Sequence, residues 1–455
     1  MGKKTREERR SRWQVLILTM MFLGYAAMMM CKVAFTALSP AMKRDPSLGL
    51  TTAKYGRIVS WNSLGAVAGK AVTGLGADKM GGRKMLIAAM VFLAITTAAF
   101  GVSHLYVFAL LNFSTMFFKA GGWPAMTKII GAWYPRSKHG RVWSIVSMSS
   151  RVGTVVGGVL ISWLLLSASW RTVFLAAAAP AMLVAVLVWF VLKERPEDVG
   201  LSLVQPGDDE SCSRGGVANS SGDDSASDTQ QEVVHPLDGT TLGQACLVFV
   251  RSPRVVLMAL SMMLLNILMD FINFLPIYLS ESLSFSDSKA ALIGSTVFPA
   301  GMFAALALCS VGYDWVSKKQ LVRIIGALLA VACLCITILW KLPTFDLDSG
   351  EAAVVSMTTI FVLGFAVSPA YYLPMSVFSV SFGGKHSGFL VSFLDIFGYM
   401  GSFFFAFFGG AIAEDHGWHV FLFLLLVVAS LSFLVMTAFL KLDYVAENRS
   451  SRRSS

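Results

Sequence analysis

Residues 74–84 read GLGADKMGGRK, and residues 312–319 read GYDWVSKK. Both stretches place a Gly two residues before an Asp and a basic turn after it, between two long apolar runs. An Asp at a helix end beside a basic turn can bridge to a neighbouring helix, and Gly lets two helices approach closely. The repeat indicates that the chain consists of two halves with the same order of segments.

The composition is that of a membrane protein. Of the 455 residues 55% are hydrophobic and 14% charged, whereas soluble domains carry about 25% charged residues. A membrane span requires about 20 mostly apolar residues. On that criterion we predict twelve spans, at about 13–39, 55–78, 84–103, 105–133, 141–167, 170–193, 254–283, 288–312, 319–341, 352–380, 386–413 and 418–441.

The spans divide into two groups of six, which predicts an all-α membrane protein with two six-helix bundles. The bundles are predicted at 1–193 and 251–441. Between them lies a polar cytoplasmic linker, 194–250, and after them a basic tail, 442–455. The linker is rich in Ser, Gly and Asp, so we expect 194–250 to be largely disordered.

Basic residues set the expected orientation. The two termini and the loops after spans two, four and eight are basic, whereas most loops on the other side are acidic or neutral. By the positive-inside rule both termini are cytoplasmic. The loop after the first span is an exception, because it carries Lys43, Arg44, Lys54 and Arg57 on the predicted outer side. The net charge of +10 therefore reflects topology, and nucleic-acid binding is not expected.

Four cations lie deep within the predicted spans of the first half: Lys32, Lys70, Lys119 and Arg151. A charge at the centre of a span costs about 2.5–3.5 kcal/mol on insertion scales. Four unpaired charges would cost about 10 kcal/mol, which is comparable to the stability of a whole fold. We therefore expect these side chains to face an aqueous cavity or to bind a negative group.

The predicted spans of the second half contain acids instead, Asp270 and Asp395. They can serve as a proton site, as partners of the first-half cations across the cavity, or as contacts for a cationic part of the substrate. Other polar residues within spans are candidates for the same cavity: Tyr25, Asn62, Asn112, Asn266, Asn273, Tyr371 and Tyr372.

The two repeated stretches resemble the signature loop of the major facilitator superfamily. The resemblance implies a conformational-gating motif at Gly74, Asp78, Gly82 and Arg83, with Asp314 in the second copy. Further stretches resemble one branch of that superfamily, the organophosphate:phosphate antiporters: Gly24-Tyr25, Lys32–Phe35, Gly69–Gly74, Gly121–Pro124, Ser169–Arg171, Glu194–Leu201 and Phe397–Gly401. The fold that this implies is two six-helix bundles around one central site.

The resemblance also implies roles for individual residues. Lys32 falls where that branch has a phosphate-binding arginine, and Lys70 falls on the lysine of its second helix. The sequence departs from the branch where Leu268 replaces a second arginine and Ser150 replaces a histidine, with Arg151 beside it. Lys119 stands at a glutamine-like position. Positive charge is thus concentrated in the first half.

We predict a transporter of a small anion, an organophosphate or phosphate, bound by Lys32, Lys70, Lys119 and Arg151 with Tyr25 and Asn273. Asp270 and Asp395 are the candidates for proton coupling or ion pairing. One alternative is a proton-coupled transporter of a carboxylate or zwitterion, and another is a transporter-like membrane sensor. No nucleotide loop, metal triad or nucleophile–base set is present, so we expect neither enzymatic activity nor a cofactor or metal. The expected partners are the anion and the bilayer, and the expected state is a monomer.

Overall fold

The computed structural model describes residues 3–135, 138–201, 241–312 and 316–454, and every regular element in these ranges is helical. We call the residues before the 202–240 gap the first half and those after it the second half. The α-helices of the first half are α1 (Lys3–Ala37), α2 (Ser39–Arg44), α3 (Thr52–Met80), α4 (Gly82–Val102), α5 (Phe108–Ala120), α6 (Gly122–Trp133), α7 (His139–Leu164) and α8 (Trp170–Val191). Those of the second half are α9 (Leu242–Arg251), α10 (Pro253–Asp270), α11 (Leu275–Ser282), α12 (Asp287–Leu292), α13 (Phe298–Gly312), α14 (Lys318–Lys341), α15 (Ser349–Gly383) and α16 (Ser387–Ser454).

Long apolar helices confirm a multi-pass membrane protein. Within the described ranges, nine helical segments are long and apolar enough to cross a bilayer. The last of them, Ser387–Ala446, has 60 residues and would extend about 90 Å if it were straight. Gly417 interrupts it with φ 80 and ψ 166. The count of twelve spans is not established by these lengths and remains a prediction.

Several predicted spans differ from the helices that form. The predicted span 105–133 is two helices that meet at Gly121. The predicted span 254–283 is also divided, because α10 ends at Asp270 and a 3-10 turn, Phe271–Asn273, leads into α11. Pro276 near the start of α11 has no backbone N–H to continue the preceding helix. A π-helical turn, Ile293–Val297, interrupts the next span.

The two halves pack closely where α3 crosses α16. A Cβ on Gly56 would collide with the carbonyl of Ala406 and lie 3.0 Å from the Cα of Gly410. Only glycine permits this backbone approach, because any side chain would displace one helix. The crossing fixes the position of α3 and α16 on one flank of the space between the halves.

Polar contacts join the halves at one end, which we call the closed end. It is formed by the C-terminal end of α1, α2, the first turn of α3, and the segments around α11 and α12. Tyr55 Oη donates to the carbonyl of Asn273 at 2.7 Å, and the side chains of Ser162 and Ser288 each donate to the other's carbonyl. The hydrogen bond of Tyr55 is buried, and the ring of Tyr55 packs against Phe35 and Phe274.

Part of the predicted gating motif forms a helix cap. The carboxylate of Glu194 accepts hydrogen bonds from the backbone N–H groups of Gly82 and Arg83, which begin α4. Arg83 stacks on Trp189. A carboxylate at a helix N-terminus satisfies orphan donors and complements the helix dipole. The surroundings of Gly74 and Asp78 within α3 are not described, and Asp314 lies outside the described residues.

Candidate functional site

A cavity of about 420 Å³ lies between the two halves. Small-molecule sites have volumes of about 300–1,000 Å³. The charged residues that line it are Lys32, Lys70, Lys119, Arg151, Asp270 and Asp395. All the charged residues that the sequence singled out as misplaced therefore meet in one space.

Helical spacing explains which side chains reach the cavity. On α1 the lining residues are Tyr25, Met29 and Lys32, which are four and three positions apart. Residues at this spacing share one face of a helix. The neighbours of Lys32 in the sequence, Cys31 and Val33, are buried on other faces. The helical periodicity of α1 therefore places Lys32 on the face that lines the cavity.

Lys32 and Lys119 are the free cations of the site. Neither makes a hydrogen bond or an ion pair with any residue that the structure describes, and both are partly accessible. Asp270 acts electrostatically on Lys32 but lies beyond ion-pairing distance. Lys119 is exposed to the like charges of Lys32 and Arg151. Neighbouring like charges that form no ion pair of their own favour the binding of an anion.

Lys70 and Arg151 contact the second half instead. The ammonium of Lys70 forms an ion pair with Asp395, and it lies 4.9 Å from the ring centroid of Tyr399. The guanidinium of Arg151 lies 4.8 Å from the ring centroid of Tyr372. Cation–π contacts of this kind contribute about 0.5–2 kcal/mol. These two cations therefore link the halves across the cavity.

The remaining predicted residues occupy the walls. Tyr25 packs against Trp123 with ring centroids 4.8 Å apart. Asn273 lines the cavity and also accepts a hydrogen bond from Thr36 Oγ1 at 3.2 Å. Asn273 therefore joins the halves as well as facing the site. Asp270 and Ser402 line the same cavity.

One candidate was wrong and several lining residues were missed. Asn112 is 2% exposed and is not part of the lining, because α5 directs it into the packing of the first half. Trp123 and Tyr399 line the cavity, as do five methionines: Met29, Met116, Met269, Met302 and Met375. Met29 and Met116 lie three residues before charged lining positions, and Trp123 and Tyr399 lie four residues after them. That helical spacing is a signal that would have identified these four, but not Met269, Met302 or Met375.

Four cations and two carboxylates leave the lining with a formal charge of +2. One phosphate monoester carries about −1.5 to −2 at pH 7. An anion of that charge would neutralise the cavity. Within the described residues, no three His, Cys, Asp or Glu side chains form a group that would hold a metal ion.

A helical membrane protein with a charged cavity between its halves, closed at one end by contacts between them, has the architecture of a solute carrier. The chain belongs to the Major Facilitator Superfamily, whose family model matches residues 17–379. The relatives agree with the branch that the sequence resembles. A probable hexose phosphate transport protein of Chlamydia muridarum is 24% identical over 431 residues, which cover 93% of this chain and 90% of that protein.

Two further proteins are similar to this chain over most of its length. The membrane sensor protein UhpC of Escherichia coli K12 is 23% identical over 436 residues, covering 94% of this chain and 92% of that protein. A crystal structure of a bacterial homologue of the human lysosomal transporter Spinster, inward-facing and unoccupied, is 16% identical with a TM-score of 0.68. The similarity covers 94% of this chain and 97% of the Spinster homologue.

Proposed function

We propose that the protein is a secondary active transporter of a small anion, an organophosphate or inorganic phosphate, that works by alternating access. The observation that carries the proposal is the pair of free cations, Lys32 and Lys119, in a cavity with a formal charge of +2. The hexose phosphate transport protein of Chlamydia muridarum, similar over most of the chain, supports a phosphorylated substrate.

The arrangement favours exchange. In the empty site Lys32 and Lys119 repel each other, so enclosing the cavity without a ligand is unfavourable. A bound phosphate removes that repulsion and lowers the free energy of the occluded state. Lys70 and Arg151 already reach the second half, so a phosphate bound between them and Lys32 would draw the halves together.

We also propose the finer architecture. Crossings by α3 and by the α5–α6 pair add two spans to the nine long apolar segments, and Gly417 divides the last segment into two, which gives twelve. The first six form a bundle over 1–193 and the last six a bundle over 251–441. Both termini are cytoplasmic by the positive-inside rule, so the closed end faces outwards. The protein acts as a monomer in the bilayer, without enzymatic activity.

Transport by purified protein tests the function. Proteoliposomes are preloaded with phosphate, and labelled glucose 6-phosphate, phosphate and a panel of carboxylates are added outside. We expect uptake of a phosphorylated solute that requires internal phosphate, and strong loss of uptake in Lys32→Ala. The proposal fails if no anion enters, or if Lys32→Ala equals the parent.

Two alternatives give different outcomes in the same experiment. Asp270 beside the free cations is the residue that would take a proton, so a pH gradient that drives net uptake without internal phosphate identifies proton coupling. The similarity to the sensor UhpC favours a second alternative, ligand binding without flux. Binding by calorimetry in the absence of uptake would identify it.

A further inference from the structure

The basic loop after the first span departs from the charge rule that the rest of the chain follows. Lys43 and Arg44 end α2 at the closed end of the cavity. Arg44 has a side chain that is 55% exposed. The central site does not include either residue, so their charge needs a separate explanation.

Both cations are paired with acids of the opposite half. Lys43 forms an ion pair with Glu281 of α11, which also accepts a hydrogen bond from Trp418 Nε1 at 2.9 Å. Arg44 Nε lies 3.2 Å from a carboxylate oxygen of Asp287 on α12. When the halves separate at this end, Lys43 and Arg44 lose their acidic partners in the same movement.

Among the described residues, no acid of their own half forms an ion pair with either cation. Asp45 follows Arg44 in the sequence, but its carboxylate accepts hydrogen bonds from Ser47 and from Trp170 Nε1, at 3.0 Å for the indole. Those bonds hold the pKa of Asp45 below its usual value, so it remains engaged and ionised. Opening therefore leaves two uncompensated positive charges at the entrance.

Space for an anion already exists beside them. A second cavity of about 240 Å³ is lined by Lys43, Arg44 and four neighbours: Pro40, Ile277, Ser280 and Glu281. Lys43 lies 11 residues after Lys32, which corresponds to about 16 Å along a helix. That separation is longer than the Debye length at 0.1 M salt, about 10 Å, and shorter than that at 0.01 M, about 30 Å.

Building on the proposed transport of an anion, we infer that Lys43 and Arg44 form an anion-capture site at the outer entrance, which their ion pairs with Glu281 and Asp287 mask in the closed state. When the closed end forms, Glu281 and Asp287 neutralise Lys43 and Arg44, so the entrance no longer binds an anion. Once the gate opens, the two cations attract a phosphate and pass it towards Lys32. Cations in a cleft raise the association rates of anions by tenfold or more.

The test separates capture from gating by changing one partner of an ion pair at a time. Initial uptake of labelled inorganic phosphate from the outer side is measured in proteoliposomes of defined sidedness, in 10 mM and in 300 mM salt. Arg44→Gln removes the cation, and Asp287→Asn removes its partner but leaves the cation. Lys54→Gln is the matched control, because it removes a positive charge of the same loop whose Nζ donates to the carbonyl of Gly49 and does not line the second cavity.

If the site captures anions, Arg44→Gln lowers kcat/KM from the outer side about three- to tenfold in 10 mM salt, and the loss disappears in 300 mM salt. Asp287→Asn does not lower it, Arg44→Lys restores it, and efflux from the inner side keeps its KM. The inference is overturned if Arg44→Gln and Asp287→Asn change uptake equally, or if Arg44→Gln matches Lys54→Gln. Absence of flux in the parent would overturn the proposed function itself.

Discussion

Replacing Lys32 by Met should weaken anion binding and stabilise the empty protein at the same time. The side chains have similar length, so the change removes the charge and leaves the packing of α1 nearly intact. Lys32 has no hydrogen bond or ion pair with a described residue. A hydrogen bond between charged groups contributes about 1.5–3 kcal/mol, so we expect affinity for phosphate to fall by about 10- to 150-fold.

The stability change has the opposite sign. An unpaired cation within a span costs about 2.5–3.5 kcal/mol, and water in the cavity reduces that cost for Lys32, which is partly accessible. We expect a gain of about 1 kcal/mol without ligand, or about 2 °C in the apparent melting temperature. A ligand at 100 times Kd stabilises the parent by about 2.7 kcal/mol, whereas a 100-fold weaker variant gains only about 0.4 kcal/mol at the same concentration.

Thermal melts in detergent, with and without glucose 6-phosphate, measure both effects. Lys319→Met is the control, because Lys319 is exposed at the start of α14 and does not line the cavity. It should leave both the melting temperature and the ligand-induced shift unchanged. If Lys32→Met keeps the parent's ligand-induced shift, or if it melts lower than the parent without ligand, Lys32 is a structural residue and the reasoning is refuted.

Three further predictions concern residues around the site. Lys70→Ala leaves Asp395 unpaired and should cost about 1 kcal/mol, given the partial exposure of the pair; adding Asp395→Asn should recover most of that loss in melts. Gly56→Val forces α3 away from α16, so a cysteine introduced at the closed end should become accessible to impermeant thiol reagents. Unchanged labelling would show that α3 and α16 do not pack this closely. Glu194→Ala removes the cap of α4 and should cost about 1 kcal/mol without altering the affinity for phosphate.

The sequence was sufficient for the membrane character and the superfamily, because long apolar runs and a repeated loop are local features. The breaks within the spans were not predictable in the same way. Gly121 and Phe271–Asn273 lie inside apolar stretches, and hydropathy averaged over 20 residues does not detect a helix that changes direction. Gly417 likewise interrupts α16, because its positive φ is not a helical conformation.

The candidate site was found from the cost of charge in a membrane, which depends on residue type and depth alone. That reasoning selected Lys32, Lys70, Lys119 and Arg151 and required an aqueous cavity for them, without distinguishing their roles. Partners decide the roles, and partners come from the other half: Asp395 for Lys70 and Tyr372 for Arg151. The packing of the two halves therefore determines which cations remain free to bind an anion. Only the tertiary structure shows this, because the partners are far apart in the sequence.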